Sequence, residues 1–437
     1  MPRTEGHEVA ASDGPWSATA MRDNRGGRSF RRSGSLPVDV LPEARQGAAP
    51  PFPATDVRIV LAIFVGLRLV FLVVGLVQLG HGPVTDGYLI RYAELATEEG
   101  RPYRDYQVEY PPGQLALIRS LGDPDIGVTG QRTLVAGFVA DIATALVLAR
   151  VWGRTAAAWY LVLGAPLIAF SYGGFDLWSC LLAVASVASS KRGHGRVGGV
   201  LLACAILTRI WPVVLIPYFI VQRRWRSLSW TLGSLSVGVL AWIVAGGGVG
   251  AVRQVTTFRG ATGWEFESAI GTLAWVAGSE PSQEAGAARF GTAPTWARVS
   301  LGVLALVISS YSWYRARRDP DRVGGPSVAS VGGLLLASPL FSYPFVTWLV
   351  PWSALSAAEG EGRDLARLCG ATCLLTVGAV LSFPSKEQLP VLTQGLLFAR
   401  DGTLFLMVIV ALRHLARSVV PPGTPTRPAS GVSSMPE

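Results

Sequence analysis

The stretch from Asp86 to Gly113 concentrates side chains suited to acid–base chemistry beside rings suited to stacking. It runs Asp86-Gly-Tyr-Leu-Ile-Arg-Tyr-Ala, passes Arg101-Pro-Tyr-Arg-Asp-Tyr and ends at Glu109-Tyr-Pro-Pro-Gly. Asp86 follows an apolar run by only a few residues and sits beside Gly87 and Tyr88. A carboxylate at that depth lies at a membrane surface, where it can take a proton from a sugar hydroxyl while a lipid-linked donor stays in the bilayer. Glu94, Glu98 and Glu99 read as a solvated surface. Glu109-Tyr110-Pro111-Pro112-Gly113 predicts an extended turn leading into a short surface helix. Tyr103, Tyr106 and Tyr110 either stack on sugar rings or form an interfacial aromatic belt.

Four further groups stand out. Asp176, in Gly173-Gly174-Phe175-Asp176, opens an apolar run and is either a helix cap or a second acid contacting an acceptor. Arg209, in Thr208-Arg209-Ile210-Trp211-Pro212, is costly to bury without a partner, which is either a lipid-borne phosphate or an internal acid. Arg259, with Glu265 and Glu267 around Trp264, either grips a phosphate or sugar or lies in a solvated loop. Ser338-Pro339, Ser342-Tyr343-Pro344 and Pro351 break two apolar runs, as happens where helices line a cavity. Arg68 and Asp141 lie inside apolar runs and are expected to pair structurally.

The elements that must position these residues are membrane helices. The chain is 50% hydrophobic and only 15% charged, against roughly 25% in soluble domains. Apolar segments fall near 57–79, 128–150, 156–172, 174–190, 197–221, 228–247, 297–314, 327–342, 343–357, 366–383 and 402–416. Short loops rich in arginine alternate with the loops 80–127, 248–296 and 384–401, so the latter are expected outside and both termini in the cytoplasm. Segment 197–221 has basic flanks on both sides, which one crossing would violate. A hairpin folded back at Arg209–Pro212 reconciles them, giving about ten to twelve spanning or re-entrant helices. Residues 1–55 and 418–437 are Gly/Ser/Pro/Arg-rich tails expected to be disordered around one domain over 56–417.

Composition also narrows the chemistry. The net charge of +9 fits cytoplasmic loops of a membrane protein, without nucleic acid as a partner. Cys369 and Cys373 lie in an apolar run far from His7, His81, His194 and His414, so no metal is expected, and no cofactor motif or phosphate-cradling Gly-rich loop is found.

The order of these pieces resembles the GT-C-fold integral membrane glycosyltransferases. The similarity is greatest to glycosyltransferase family 87 (formerly DUF2029), the polyprenol-phosphate-mannose-dependent mannosyltransferases. It rests on Asp86 with Tyr88 and Ala93, Gly100-Arg-Pro-Tyr103, Glu109-Tyr-Pro-Pro112, Phe175-Asp176 and Thr208-Arg-Ile-Trp-Pro212. It continues through Arg259-Gly260, Glu267-Ser268, Ser338-Pro339 and Tyr343, covering roughly 57–415. Arg209 stands where lysine is common, and Leu-Phe-Ser-Tyr-Pro where Pro-Gln-Tyr is usual.

The resemblance implies an all-α polytopic membrane protein of the bacterial plasma membrane with an outward-facing site. It implies transfer of a hexose, mannose first, from a polyprenyl-phosphate sugar to an envelope glycolipid or glycan. Asp86 would be the general base. Arg209 and Arg259 would bind the donor phosphate, and Tyr88, Tyr103, Tyr106, Glu109, Tyr110, Asp176, Glu267 and Tyr343 would contact substrate. A multi-span transporter or lipid-linked sugar flippase is the alternative; the absence of internal repeats in the sequence weighs against it.

Overall fold

A computed structural model describes residues 54–81, 87–256, 261–284, 287–319, 321–360, 362–383 and 390–417. Asp86, Arg259 and nearly all of both expected tails lie outside these residues. The described chain is helical apart from one small sheet. The first helix, α1 (Ala54–His81), is followed by two short ones, α2 (Gly87–Thr97) and α3 (Pro112–Leu121). Then come α4 (Ile126–Val151), α5 (Arg154–Gly164), α6 (Ile168–Ser171), α7 (Asp176–Lys191), α8 (Gly195–Thr208), α9 (Ile216–Val221), α10 (Trp225–Ala245), α11 (Gly250–Thr256) and α12 (Ala269–Val276). The last third holds α13 (Thr295–Ala316), α14 (Gly324–Ala337), α15 (Val350–Ala358), α16 (Arg363–Ser382) and α17 (Pro390–Arg417).

Six of these segments are long and apolar enough to cross a membrane: Asp56–Gly80, Ile126–Val151, Arg154–Ser171, Trp225–Ala245, Arg363–Ser382 and Pro390–Arg417. With 28 residues at ~1.5 Å each, α1 outreaches the ~30 Å hydrocarbon core. Its Ile59, Ile63, Val70, Val73 and Val77 are exposed, a face suited to lipid and not to water. The molecule is an all-α polytopic membrane protein. Inside it, Arg68 of α1 donates to Asp141 of α4 at 2.6 Å and the Tyr172 hydroxyl donates to the same carboxylate at 2.7 Å. The expected intramembrane pair therefore exists, sealed by a third group.

The hairpin expected at Arg209 is also present. Gly195 at the start of α8 lies against Arg226 and Ser227 at the start of α10, whereas Leu207 near its end lies against Gly238. These two helices therefore run parallel. The intervening chain must return along their length, and it does so through the 3₁₀ turn Trp211–Leu215 and α9. Close approach needs small residues: a Cβ on Gly199 would come within 2.4 Å of the Ser227 carbonyl oxygen.

Two features differ from expectation. The last helix starts at Pro390, well before 402. The polar pair Arg400–Asp401 interrupts the hydropathy there, but the two neutralise each other at 2.8 Å and continue the helix. Loop 248–296 also contains an antiparallel sheet in the order β1 (Trp264–Glu265), β3 (Ala287–Phe290), β2 (Pro281–Glu284).

The two ends of the bundle are chemically distinct. Arg192 donates to the Arg150 carbonyl, Lys191 pairs with Asp321, and Arg315 donates to the Ala416 carbonyl, so basic residues gather at one end. Asp176, Arg209 and Ser338 stand at the opposite ends of α7, α8 and α14 from Lys191, Gly195 and Gly324.

Candidate active site

A cavity of about 420 Å³ opens at that second end, within the size range of small-ligand pockets. Its wall draws on α2, the turn before α3, the start of α7, the hairpin tip, α11 and the break after α14.

Arg209 enters because α8 stops there. Its backbone is extended (φ −146°, ψ 134°), while its N–H still closes the helix onto the Ala205 carbonyl at 2.9 Å. The guanidinium Nη2 donates to Asp176 Oδ2 at 2.9 Å. The cation lies 5.4 Å from the Phe345 ring centre and 5.9 Å from that of Tyr110. Its Nε is buried and has no hydrogen-bond partner among the described residues.

Asp176 is not a helix cap. Phe175 holds the N-cap position and makes no side-chain cap bond, which leaves Asp176 inside the first turn. Both of its oxygens are engaged, Oδ2 by Arg209 and Oδ1 by Trp348 Nε1 at 2.8 Å. Trp348 is stacked between Phe345 (4.3 Å) and Trp211 (5.4 Å), and Trp211 Nε1 donates to Ser179 Oγ one turn below Asp176. A slab of three rings thus fixes the acid, and the acid fixes the arginine.

Across the cavity Glu109 is buried and bound by Arg91 through Nε at 3.1 Å and Nη2 at 3.3 Å. Pro111 is the N-cap of α3, as the Pro-Pro motif predicts. Tyr88 meets Ser342 Oγ at 3.4 Å and lies edge-on to Tyr343. Desolvation in the cavity wall raises the pKa of the Tyr88 phenol although the residue as a whole is 39% exposed, and the group is a neutral hydrogen-bonding partner.

Of the residues singled out in the sequence, Tyr88, Glu109, Tyr110, Asp176, Arg209 and Tyr343 line one cavity. Three others do not. Tyr103 is buried at a left-handed backbone position (φ 67°), packs on Trp242 and donates to the Tyr110 carbonyl at 2.7 Å, so it pins the loop. The Tyr106 hydroxyl accepts from Arg119 outside the cavity. Glu267 is buried and accepts the Tyr343 backbone N–H at 2.5 Å, which makes it a support of the wall. Sequence reasoning missed Tyr92 as a wall residue, although Tyr88 and Tyr92 share a helix face at four-residue spacing. It also missed the clamp from Arg91, which no local pattern marks.

The model of glycosyltransferase family 87 matches residues 106–339, more than half of the chain. The chain belongs to that family and is a membrane glycosyltransferase. The matched range contains Tyr106, Glu109, Tyr110, Asp176, Arg209, Arg259 and Glu267, and it leaves out Asp86, Tyr88, Tyr103 and Tyr343. No curated protein matches the chain.

Proposed function

We propose that the enzyme moves a hexose, mannose in the first instance, from a polyprenyl-phosphate sugar to an envelope glycolipid or glycan. The reaction is placed on the outer face of a bacterial plasma membrane, with both termini cytoplasmic. The observation that carries this reading is the Arg209 guanidinium: anchored on one side by Asp176, it keeps a buried Nε donor uncommitted beside an aromatic cavity. A phosphodiester anion meets that donor, and the apolar wall suits a donor arriving from lipid. Gathering of basic side chains at the far end supports the sidedness.

Asp86 is assigned as the base by resemblance. Support comes from its chain neighbours, since Gly87 opens α2 and Tyr88 lines the cavity. Asp86 takes the proton of an acceptor hydroxyl, whose oxygen attacks the anomeric carbon from the face opposite the phosphate. The bond from that carbon to the phosphate oxygen breaks, and its electron pair leaves with polyprenyl phosphate. Arg209, joined by Arg259, stabilises the charge on that leaving group. Thr256, three residues before Arg259, lines the same cavity.

Transfer from a panel of polyprenyl-phosphate mannose, glucose and arabinose tests this reading. One of these lipids should be consumed, and Arg209→Ala should cut the rate by about 10² while Arg209→Lys retains part of it. Use of a nucleotide sugar in preference to all three lipids would overturn it.

A further inference from the structure

Among the described residues three carboxylates line the cavity, and two are already spoken for: Asp176 by Arg209 and Trp348, Glu109 by Arg91. The third is Glu265. Its carboxylate makes no hydrogen bond or ion pair with any described residue, although it is only partly exposed and lies on the cavity wall. Burial raises its pKa, against the pull of the charges on Arg289 and Arg400. An acid in that state lacks the acceptor contacts that partly buried carboxylates normally make.

Its backbone, by contrast, is fixed on every side. The Glu265 N–H donates to the Pro339 carbonyl at 3.1 Å, tying β1 to the break after α14. Its carbonyl accepts from Ser268 N at 2.9 Å and from Ser268 Oγ at 2.7 Å. Gly271 packs so closely beneath that an added Cβ would meet the Glu265 oxygen at 1.9 Å. Across the strands Glu265 pairs with Arg289. A rigid backbone holding a carboxylate with no partner among the described residues at a pocket wall is the arrangement of a preorganised ligand contact.

The charges in the cavity sort any ligand placed there. Arg209 and Glu265 both line this cavity, and no described contact joins them. An anionic group is drawn to Arg209 and repelled from Glu265. A neutral polyol satisfies Glu265, because a carboxylate accepts from two neighbouring hydroxyls at once.

Resting on the donor assignment above, we propose that Glu265 accepts hydrogen bonds from hydroxyls of the donor's sugar. It thereby fixes the sugar ring about its bond to the phosphate held by Arg209, and it determines which sugar is held. Glu267, two residues on, is buried outside the cavity wall and holds the Tyr343 N–H.

The test is equilibrium binding to the full-length protein in lipid nanodiscs. The probes are bare polyprenyl phosphate and polyprenyl-phosphate mannose, glucose and arabinose. Wild type should bind one sugar lipid more tightly than the bare lipid. Glu265→Gln and Glu265→Ala should each weaken binding of that sugar lipid by about tenfold or more, the scale of a hydrogen bond to a charged acceptor, and leave the bare lipid unchanged. Unchanged bare-lipid binding also shows that the variants fold. Undiminished sugar preference in both variants, or equal loss of both lipids, overturns the role of Glu265 alone. Wild type that binds none of the four lipids overturns the donor assignment, and this inference with it.

Discussion

At the scale of single residues the site is a chain of dependence from Trp348 through Asp176 to Arg209. Removing one partner of a buried ion pair typically costs about 3–5 kcal/mol, because the other charge is stranded. Asp176→Ala should therefore lower the unfolding temperature and abolish transfer. Adding Arg209→Met to it should restore much of the thermal stability and none of the activity. Equal instability of single and double variants, measured by thermal unfolding in detergent, contradicts the coupling. The sequence marked both residues as chemically active but not as partners. They are 33 positions apart and meet only because α7 and α8 are antiparallel neighbours across a tight turn.

Glu267 carries a second residue-scale expectation. Burial, and then the charge of Glu265, push its carboxyl from the ordinary 4.5 up to about 8. The folded state thus holds this proton more tightly than the unfolded state. Its contribution to stability is complete below about 4.5 and is lost as the pH rises through about 8. Glu267→Gln fixes the neutral form, so stability should fall less steeply with pH across that window than in wild type. An identical slope in the variant contradicts the assignment.

At the scale of elements, the hairpin tip is held by the helix that follows the Tyr/Pro loop. A Cβ on Gly113, in the first turn of α3, would approach the Leu207 carbonyl oxygen to 2.7 Å and Thr208 N to 3.0 Å. Gly113→Ala must push α3 from the end of α8, where Arg209 leaves the helix. Overpacking of this kind costs about 1–3 kcal/mol. We expect a lower unfolding temperature together with weaker donor binding; full donor affinity in a measurably destabilised variant would show that α3 does not set the position of Arg209.

Most elements were legible in the sequence, since spans are long apolar runs and the conflict of basic flanks around 197–221 required a return. The small sheet was not legible. Pro281–Glu284 and Ala287–Phe290 lack the alternation that marks a strand, and they pair through a buried Arg289 that donates to the Glu284 and Gly263 carbonyls. The early start of α17 was hidden because Arg400 and Asp401 read as solvent-facing until seen paired.

At the scale of the whole molecule, helices α7, α8 and α14 each run between a basic end and an end bearing the cavity, so one bundle holds the two apart. Six residues expected at the site converge from five parts of the chain, which explains why order along the sequence was informative while each motif alone was weak. We propose that sugar moves from a lipid phosphate with Asp86 as the base. The most direct measurement is sugar transfer by the purified Asp86→Asn enzyme in proteoliposomes, beside wild type of matched folding and donor binding. The expected result is a rate lower by about 10²–10⁴ with donor affinity retained. Wild-type turnover in Asp86→Asn would contradict it.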